Sequence, residues 1–280
     1  APGLREKVVT CTTLRKAIHK CLEGANHDDH LEMLARCSLA RNLIEESVVP
    51  DDVRDPNHLN AYTNTIEHID AEVGRLMDKV RELGLSKNTY VIYTTDNGPW
   101  LQFKHHGGSA GPLRDGKGTT FEGGQRVPCV MWAPGRIPAG TECHELMGTI
   151  DLLPTIAALT GTSLPADQKI DGLNASALLM QDAKSPRNEF LYYTSRGEIE
   201  GLRKGKWKLL VKKKRKPRNA GKNWKAPAPE ILLFDLIADM GEKKNLAKEN
   251  PKKVKEINAR MDELDSEITK NARMPWHKSK

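Results

Sequence analysis

The 280 residues are 38% hydrophobic and 29% charged, enough for one or two domains with a buried core, and no apolar run approaches the 18 residues of a membrane helix. The formal net charge of +7 is local: residues 203–225 hold 12 Lys and Arg and no acid, leaving 32 basic against 37 acidic side chains elsewhere. Five cysteines in no C-x-x-C pair exclude a disulfide-dense scaffold and a zinc ribbon.

Residues 1–59 read as a polar helical segment with a loose apolar face at Leu31, Leu34, Cys37 and Leu39, broken at Pro50-Asp51-Asp52. Tyr62, Ile66, Ile69, Val73, Leu76, Val80 and Leu83 are spaced 4, 3, 4, 3, 4, 3, which predicts a helix over 60–83 with Gly84 as its stop. Thr89 to Thr95 is β-branched and aromatic and predicts a buried strand. A helix feeding an apolar strand predicts an α/β unit over 60–189, with a mostly parallel sheet flanked by helices. Seven Gly between 107 and 124 exclude a regular element from residues 100–126 and predict a long loop, of the kind that is either functional or disordered. Val127 to Trp132 reads as the next strand. Ile150 to Leu159 reads as a short helix with Thr149 as its N-cap and Pro154 near its first turn. Residues 190–280 read as a small C-terminal antiparallel α+β subdomain. Its strands are predicted at 190–193, 207–211 and 231–236, with a turn at Lys204-Gly205-Lys206. A helix over 251–270, with the face Val254, Ile257, Met261, Leu264 and Ile268, closes it.

Asp96 and Asn97 sit at the carboxyl end of the first strand, the edge where α/β sheets bind ligands. Their oxygens suit a hard cation such as Ca²⁺ or Mg²⁺, although Asp-Asn-Gly is also a common turn string. Lys117 lies between Gly116 and Gly118, and a lysine offered from a glycine loop suits a tetrahedral anion. No P-loop string is present.

Thr94-Thr95-Asp96-Asn97-Gly98-Pro99 followed by Leu113-Arg114-Asp115-Gly116-Lys117-Gly118-Thr119-Thr120-Phe121-Glu122-Gly123-Gly124-Gln125-Arg126-Val127-Pro128 resembles the arylsulfatase branch of the sulfatase family, within the alkaline-phosphatase superfamily. Glu67-His68-Ile69-Asp70, Asp151 to Ala157, Leu159-Thr160-Gly161, Gly205 to Leu209, Leu233 to Leu236 and Asn245-Leu246 are similar to family segments in the same order, so the resemblance covers roughly 60–270. It implies hydrolysis of sulfate esters at a Ca²⁺ site by a nucleophile made from Cys or Ser, formylglycine. By the same resemblance Asp96 and Asn97 are calcium ligands and Lys117 holds a sulfate oxygen. His105 and His106, in the loop between, are candidate pocket residues or proton donors, with His106 placed among the catalytic residues below Lys117. The compartments implied are secreted, periplasmic or lysosomal.

The family's nucleophile string, Cys/Ser-x-Pro-x-Arg, is missing from this chain. Cys37-Ser38-Leu39-Ala40-Arg41 keeps Cys, Ser and Arg at the right spacing, with Leu in place of Pro, and makes Cys37 the nucleophile candidate. Cys11-Thr12-Thr13-Leu14-Arg15 has Thr there, and Asp28-Asp29 lies too close to Cys37 for the family's Asp pair. The resemblance therefore reads as the C-terminal part of a sulfatase, with the nucleophile supplied by an N-terminal part and residues 1–59 divergent or not homologous.

Lys212, Lys213, Lys214, Arg215 and Lys216, with Arg218 beyond, lie between two predicted strands. They read either as a solvated insertion or as a polyanion-binding patch. A sulfated small molecule or polysaccharide is the partner the resemblance implies; nucleic acid fits the charge but not the resemblance. Two rival functions stay open: a phosphoesterase or phosphonate hydrolase of the same superfamily, and a non-catalytic polyanion-binding protein on a sulfatase scaffold.

Overall fold

The computed structural model describes residues 61–181, 183–214, 217 and 225–272. The expectations for 1–59, including Cys11, Asp28-Asp29 and Cys37, and those for Arg215, Lys216 and Arg218 lie outside the described residues. The chain forms two compact units, residues 1–86 and 87–280.

In the first unit, α1 spans Ala61–Glu82, matching the apolar spacing. Lys79 and Arg81 occupy its last turn, where cations oppose the partial negative charge of the helix end. Gly84 follows with φ +67°, a left-handed stop that glycine adopts without a Cβ clash.

The second unit opens with β1 (Val91–Thr94), a loop region containing a 3₁₀ segment at Leu101–His106 and a one-turn helix α2 (Glu122–Gln125), and β2 (Cys129–Trp132). Two short helices follow, α3 (Leu152–Thr160) and α4 (Ser176–Gln181). Then come β3 (Glu189–Tyr193), β4 (Ile199–Lys204), β5 (Trp207–Lys212), β6 (Glu230–Asp235) and the closing helix α5 (Pro251–Asn271). The α/β class and the antiparallel C-terminal subdomain are as expected from the sequence.

The pairing of the first two strands differs from the expected parallel sheet. β1 pairs antiparallel with β2, Val91 opposite Trp132 and Thr94 opposite Cys129. The connection between them is loop and one helical turn, without the long crossover helix that a parallel pair needs. The helix start near 150 also differs. Thr149 begins a 3₁₀ turn, Thr149–Asp151, and the cap is inverted: the Asp151 carboxylate accepts from the Gly148 N–H at 2.9 Å. β4 leaves little trace in sequence, because Gly201 and three charged side chains interrupt its apolar alternation.

β3 to β6 form one antiparallel sheet in sequence order. Alternation along β5 sends successive side chains to opposite faces. Leu209 joins Leu202, Leu233, Ile257 and Met261 in a core between sheet and α5, with Trp207 and Val211 at its margin. Leu210 joins Leu232, Phe234, Leu236 and Phe121 on the other face. Phe121 is the residue before α2, so the glycine-rich loop is seated on the sheet face opposite the closing helix. Tying loop to sheet through apolar contact gives an irregular segment a rigid floor.

Candidate functional site

Asp96 is exposed and Asn97 half-buried, directly beyond the end of β1. The Asn97 Nδ2 donates to Asp96 Oδ1 at 2.7 Å, and Thr95 Oγ1 donates to the Asn97 carbonyl at 2.8 Å. Donation through Nδ2 leaves Asn97 Oδ1 and the second Asp96 oxygen as the acceptors of the pair. Their chemistry fits a hard cation, which takes six to eight oxygen ligands, so the two side chains alone would make up only part of such a shell. Among the described residues no group of three or more His, Cys, Asp or Glu could hold a metal by itself.

The Lys117 loop is laced to this strand end through main-chain contacts. Lys117 N–H donates to the Pro99 carbonyl at 2.8 Å, and Gly98 N–H donates to the Gly124 carbonyl at 3.2 Å. The approach is so close that a Cβ on Gly98 would lie 1.7 Å from the Gly123 oxygen, and one on Gly116 would lie 2.4 Å from the Pro99 oxygen. Here glycine is required by contact rather than by conformation. Lys117 is exposed, with its ammonium 5.0 Å from the centre of the Trp100 ring. His106 is half-buried at the end of the 3₁₀ segment, and the His105 side chain lies outside the described residues.

The structure adds a buried charge cluster under the same loop. Lys208, fully buried on β5, lies 2.8 Å from Glu122 Oε1 and 2.9 Å from Glu242 Oε1. Its ammonium also sits 4.3 Å from the Tyr192 ring, whose hydroxyl donates to Glu122 Oε1 at 3.1 Å. Glu242 Oε2 accepts from the Glu122 backbone N–H at 2.7 Å. Oε1 of Glu242 has no aligned donor and relies on the adjacent Lys208 charge. Arg114, from the far side of the Lys117 loop, lies over the Phe121 ring at 3.9 Å and donates to the Glu242 carbonyl at 2.8 Å. Burial pushes the Glu122 carboxyl up, but the Lys208 charge and hydrogen bond, with Arg203, outweigh it and hold it below the ordinary range. For Glu242 burial wins over Lys208, and its carboxyl is raised. Glu122 faces two cations, Lys208 and Arg203, whereas Glu242 faces Lys208 with the Glu122 charge beside it.

A second buried pair lies in the same unit. Asp151 accepts two bonds from Arg187, at 2.6 and 2.7 Å, and one each from the amides of Gly148 and Leu173. Burial pushes its carboxyl up, yet these donors hold it below the usual range. Neither pair was among the sequence-based site residues.

Of the basic run, Lys212, Lys213 and Lys214 lie among the described residues. Lys212 lies 3.0 Å from Glu200 Oε2 and 4.7 Å from the centre of the Phe121 ring, so it ties the end of β5 to β4 and to the loop. Lys213 and Lys214 are exposed.

The family model "Sulfatase" matches residues 19–162, just over half of the chain, taking in Cys37, Asp96, Asn97, His106 and Lys117 but not Cys11. The match thus enters the 1–59 segment, beyond the span over which the sequence itself shows the resemblance. Arylsulfatase A of Bos taurus is 41% identical over 197 residues, 66% of this chain and 38% of the relative. N-acetylgalactosamine-6-sulfatase of Sus scrofa is 42% identical over 132 residues, 47% of this chain and 25% of the relative. The crystal structure of PsFucS1 sulfatase from Pseudoalteromonas sp. matches with a TM-score of 0.64 at 27% identity, covering 76% of this chain and 44% of that one. The chain therefore spans less than half the length of each of these three relatives.

Proposed function

The chain belongs to the sulfatase family, and from that premise we propose that it carries part of the centre of a sulfate ester hydrolase, with Asp96 and Asn97 as ligands of a divalent cation and Lys117 as the sulfate-holding cation. The observation that carries the reading is the main-chain lacing of Lys117 N to Pro99 O and of Gly98 N to Gly124 O, which ties both motifs into one rigid edge. Hydrolysis is proposed for a protein that holds the remaining sulfatase elements together with these.

Cleaving a sulfate ester breaks the bond between sulfur and the alcohol oxygen, and negative charge grows on that oxygen. Lys117 donates an N–H to a sulfate oxygen and lowers the energy of this charge, as a fixed cation does in a water-poor site. His106 is the candidate donor of the proton that turns the leaving oxygen into an alcohol. A bound Ca²⁺ or Mg²⁺ would draw electron density from the sulfate oxygens. The formylglycine nucleophile is assigned to those remaining sulfatase elements, and Cys37, within the matched stretch but with Leu39 in place of the family's Pro, ranks second to them. A sulfated small molecule or sulfated sugar is the proposed substrate class, the latter supported by the name of the N-acetylgalactosamine-6-sulfatase relative.

Calorimetric Ca²⁺ titration of the chain and of Asp96→Ala tests the ligand assignment: the substitution is expected to weaken binding, and unchanged binding refutes it. Turnover of 4-nitrophenyl sulfate against 4-nitrophenyl phosphate tests the reaction. Phosphate-only turnover would favour the phosphoesterase rival. Salt-sensitive heparin binding without hydrolysis, lost on neutralising residues 212–218, would favour a polyanion-binding protein.

A further inference from the structure

Three of the exposed large apolar side chains fall within four residues and stand beside the candidate sulfate lysine. Trp100 is 46% exposed, Leu101 45% and Phe103 49%. An apolar group left in water costs hydrophobic free energy, and a local concentration of them marks a contact surface more often than scattered ones do. This group is also held in place. Trp100 N–H donates to the Gly107 carbonyl at 2.9 Å, Phe103 N–H to the Trp100 carbonyl at 3.0 Å, and Gly107 N–H to the Lys104 carbonyl at 3.0 Å. Lys104 adopts φ +52°, a left-handed conformation that a non-glycine residue holds only under surrounding constraint. A Cβ on Gly107 would lie 2.1 Å from the Trp100 oxygen, so the loop closes tightly on itself.

The rings are arranged as a corner. Trp100 and Phe103 meet edge to face, with centroids 4.5 Å apart and planes at 86°. Leu101 Cγ approaches within 3.0 Å of the position a Gly116 Cβ would take, which seats the corner against the residue before Lys117. The Lys117 ammonium stands 5.0 Å from the Trp100 ring centre. An anionic group on Lys117 is thereby set next to aromatic carbon, and a sulfate ester presents both kinds of surface: an anion, and the alcohol half bonded to it.

We propose that Trp100 and Phe103 form the subsite for the alcohol half of the substrate and select sulfate esters carried on a ring with an apolar face. This rests on the reading of Lys117 as the sulfate-holding cation. Aromatic carbon favours flat or C–H-lined surfaces, and an aryl ring and the C–H face of a sugar ring share that chemistry. A short acyclic alcohol offers too little surface to use the corner.

The test compares calorimetric affinities of the full chain for 4-nitrophenyl sulfate, galactose 6-sulfate, ethyl sulfate and inorganic sulfate, with Trp100→Ala and Phe103→Ala as variants and circular dichroism as the check on folding. Both substitutions are at exposed positions. Wild type is expected to bind at least one ring sulfate more tightly than ethyl sulfate. Trp100→Ala is expected to weaken that ring sulfate about three- to tenfold, with ethyl and inorganic sulfate unchanged. A loss confined to the aryl or to the sugar ester supports the subsite and identifies which ring it takes. Equal loss across all four ligands, no loss in either variant, or no ring preference in wild type overturns it. Lys117→Ala separates the underlying reading: inorganic sulfate bound as well by that variant as by wild type refutes the lysine's role, whatever the ring preference does. Binding of none of the four by wild type refutes both.

Discussion

The sheet β3–β6 and the loop edge at residues 96–124 are built on opposite principles. The sheet hides Leu202, Leu209, Leu210, Leu233 and Ile257 completely and is held by hydrogen-bonded ladders and two apolar layers. The loop edge exposes Asp96 and Lys117 and is held by close backbone passages and by Phe121 and Glu122, which reach into the sheet. The difference teaches where each kind of substitution should act. Changes beneath the loop should cost stability and drag the site with them, whereas changes at its tip should cost binding alone.

The sharpest break is expected at Lys208. Lys208→Ala leaves Glu122 and Glu242 buried beside each other without their shared cation, and removing one partner of a buried pair costs about 3–5 kcal/mol. Urea unfolding of the variant should show a correspondingly lower midpoint. A loss under about 1 kcal/mol would mean that water or Arg203, 3.9 Å from Glu122, replaces the lysine, and that the loop is not anchored through this cluster.

The next effect distinguishes the two buried pairs by pH. Asp151 and Glu122 have folded-state carboxyls below their unfolded values of 3.8 and 4.5, so their contribution is present above those values and is lost as pH falls through the folded ones. Glu242 is raised, so its ionisation opposes folding as pH climbs above 4.5 through its folded value. Arg187→Ala removes the main donor to Asp151 and leaves the burial effect, so the variant's stability loss should be full above the carboxylate range and should shrink as Asp151 protonates, giving a shallower acid limb than in wild type. An unchanged acid limb by circular dichroism would show that the Gly148 and Leu173 amides suffice.

These clusters mark the limit of what the sequence reveals. Period-3.6 and period-2 patterns expose α1, α5, β1 and three strands of the sheet, because each element's apolar face is local information. Asp96, Asn97 and Lys117 are legible from Asp-Asn-Gly-Pro and the glycine-rich string, and their main-chain lacing follows from glycines at 98, 116, 123 and 124. The Lys208 cluster joins residues 122, 192, 208 and 242, and no local pattern relates positions so far apart. Its only trace is a lysine inside the apolar run Trp207 to Val211, which reads equally well as a solvent-facing position. The antiparallel pairing of β1 and β2 is hidden for the same reason: strand content is local, while pairing direction is set by the connection.

At the passage itself, Gly98→Ala sharpens the comparison. The added Cβ would lie 1.7 Å from the Gly123 oxygen, backbone that no rotamer change can move aside. Overpacking of this kind costs about 1–3 kcal/mol. Because the passage fixes the strand end to the Lys117 loop, Ca²⁺ and sulfate affinities measured by calorimetry should fall together. A stability loss with both affinities intact would separate the passage from the site.

The smallest structural effect belongs to Lys117→Ala. The side chain is exposed, and its one described ring contact, to Trp100 at 5.0 Å, belongs to a class worth about 0.5–1 kcal/mol at exposed sites. Unfolding free energy should therefore move by no more than about 1 kcal/mol. Lys117 N–H still donates to Pro99 in the alanine variant, so the loop keeps its path and only the ammonium is lost. Inorganic sulfate binding should fall sharply all the same, since a point charge aimed at a tetrahedral anion has no substitute in the backbone at that position. Affinity lost without stability lost is what separates a side chain that serves the ligand from one that serves the fold, and Lys208 and Lys117 should fall on opposite sides of that line.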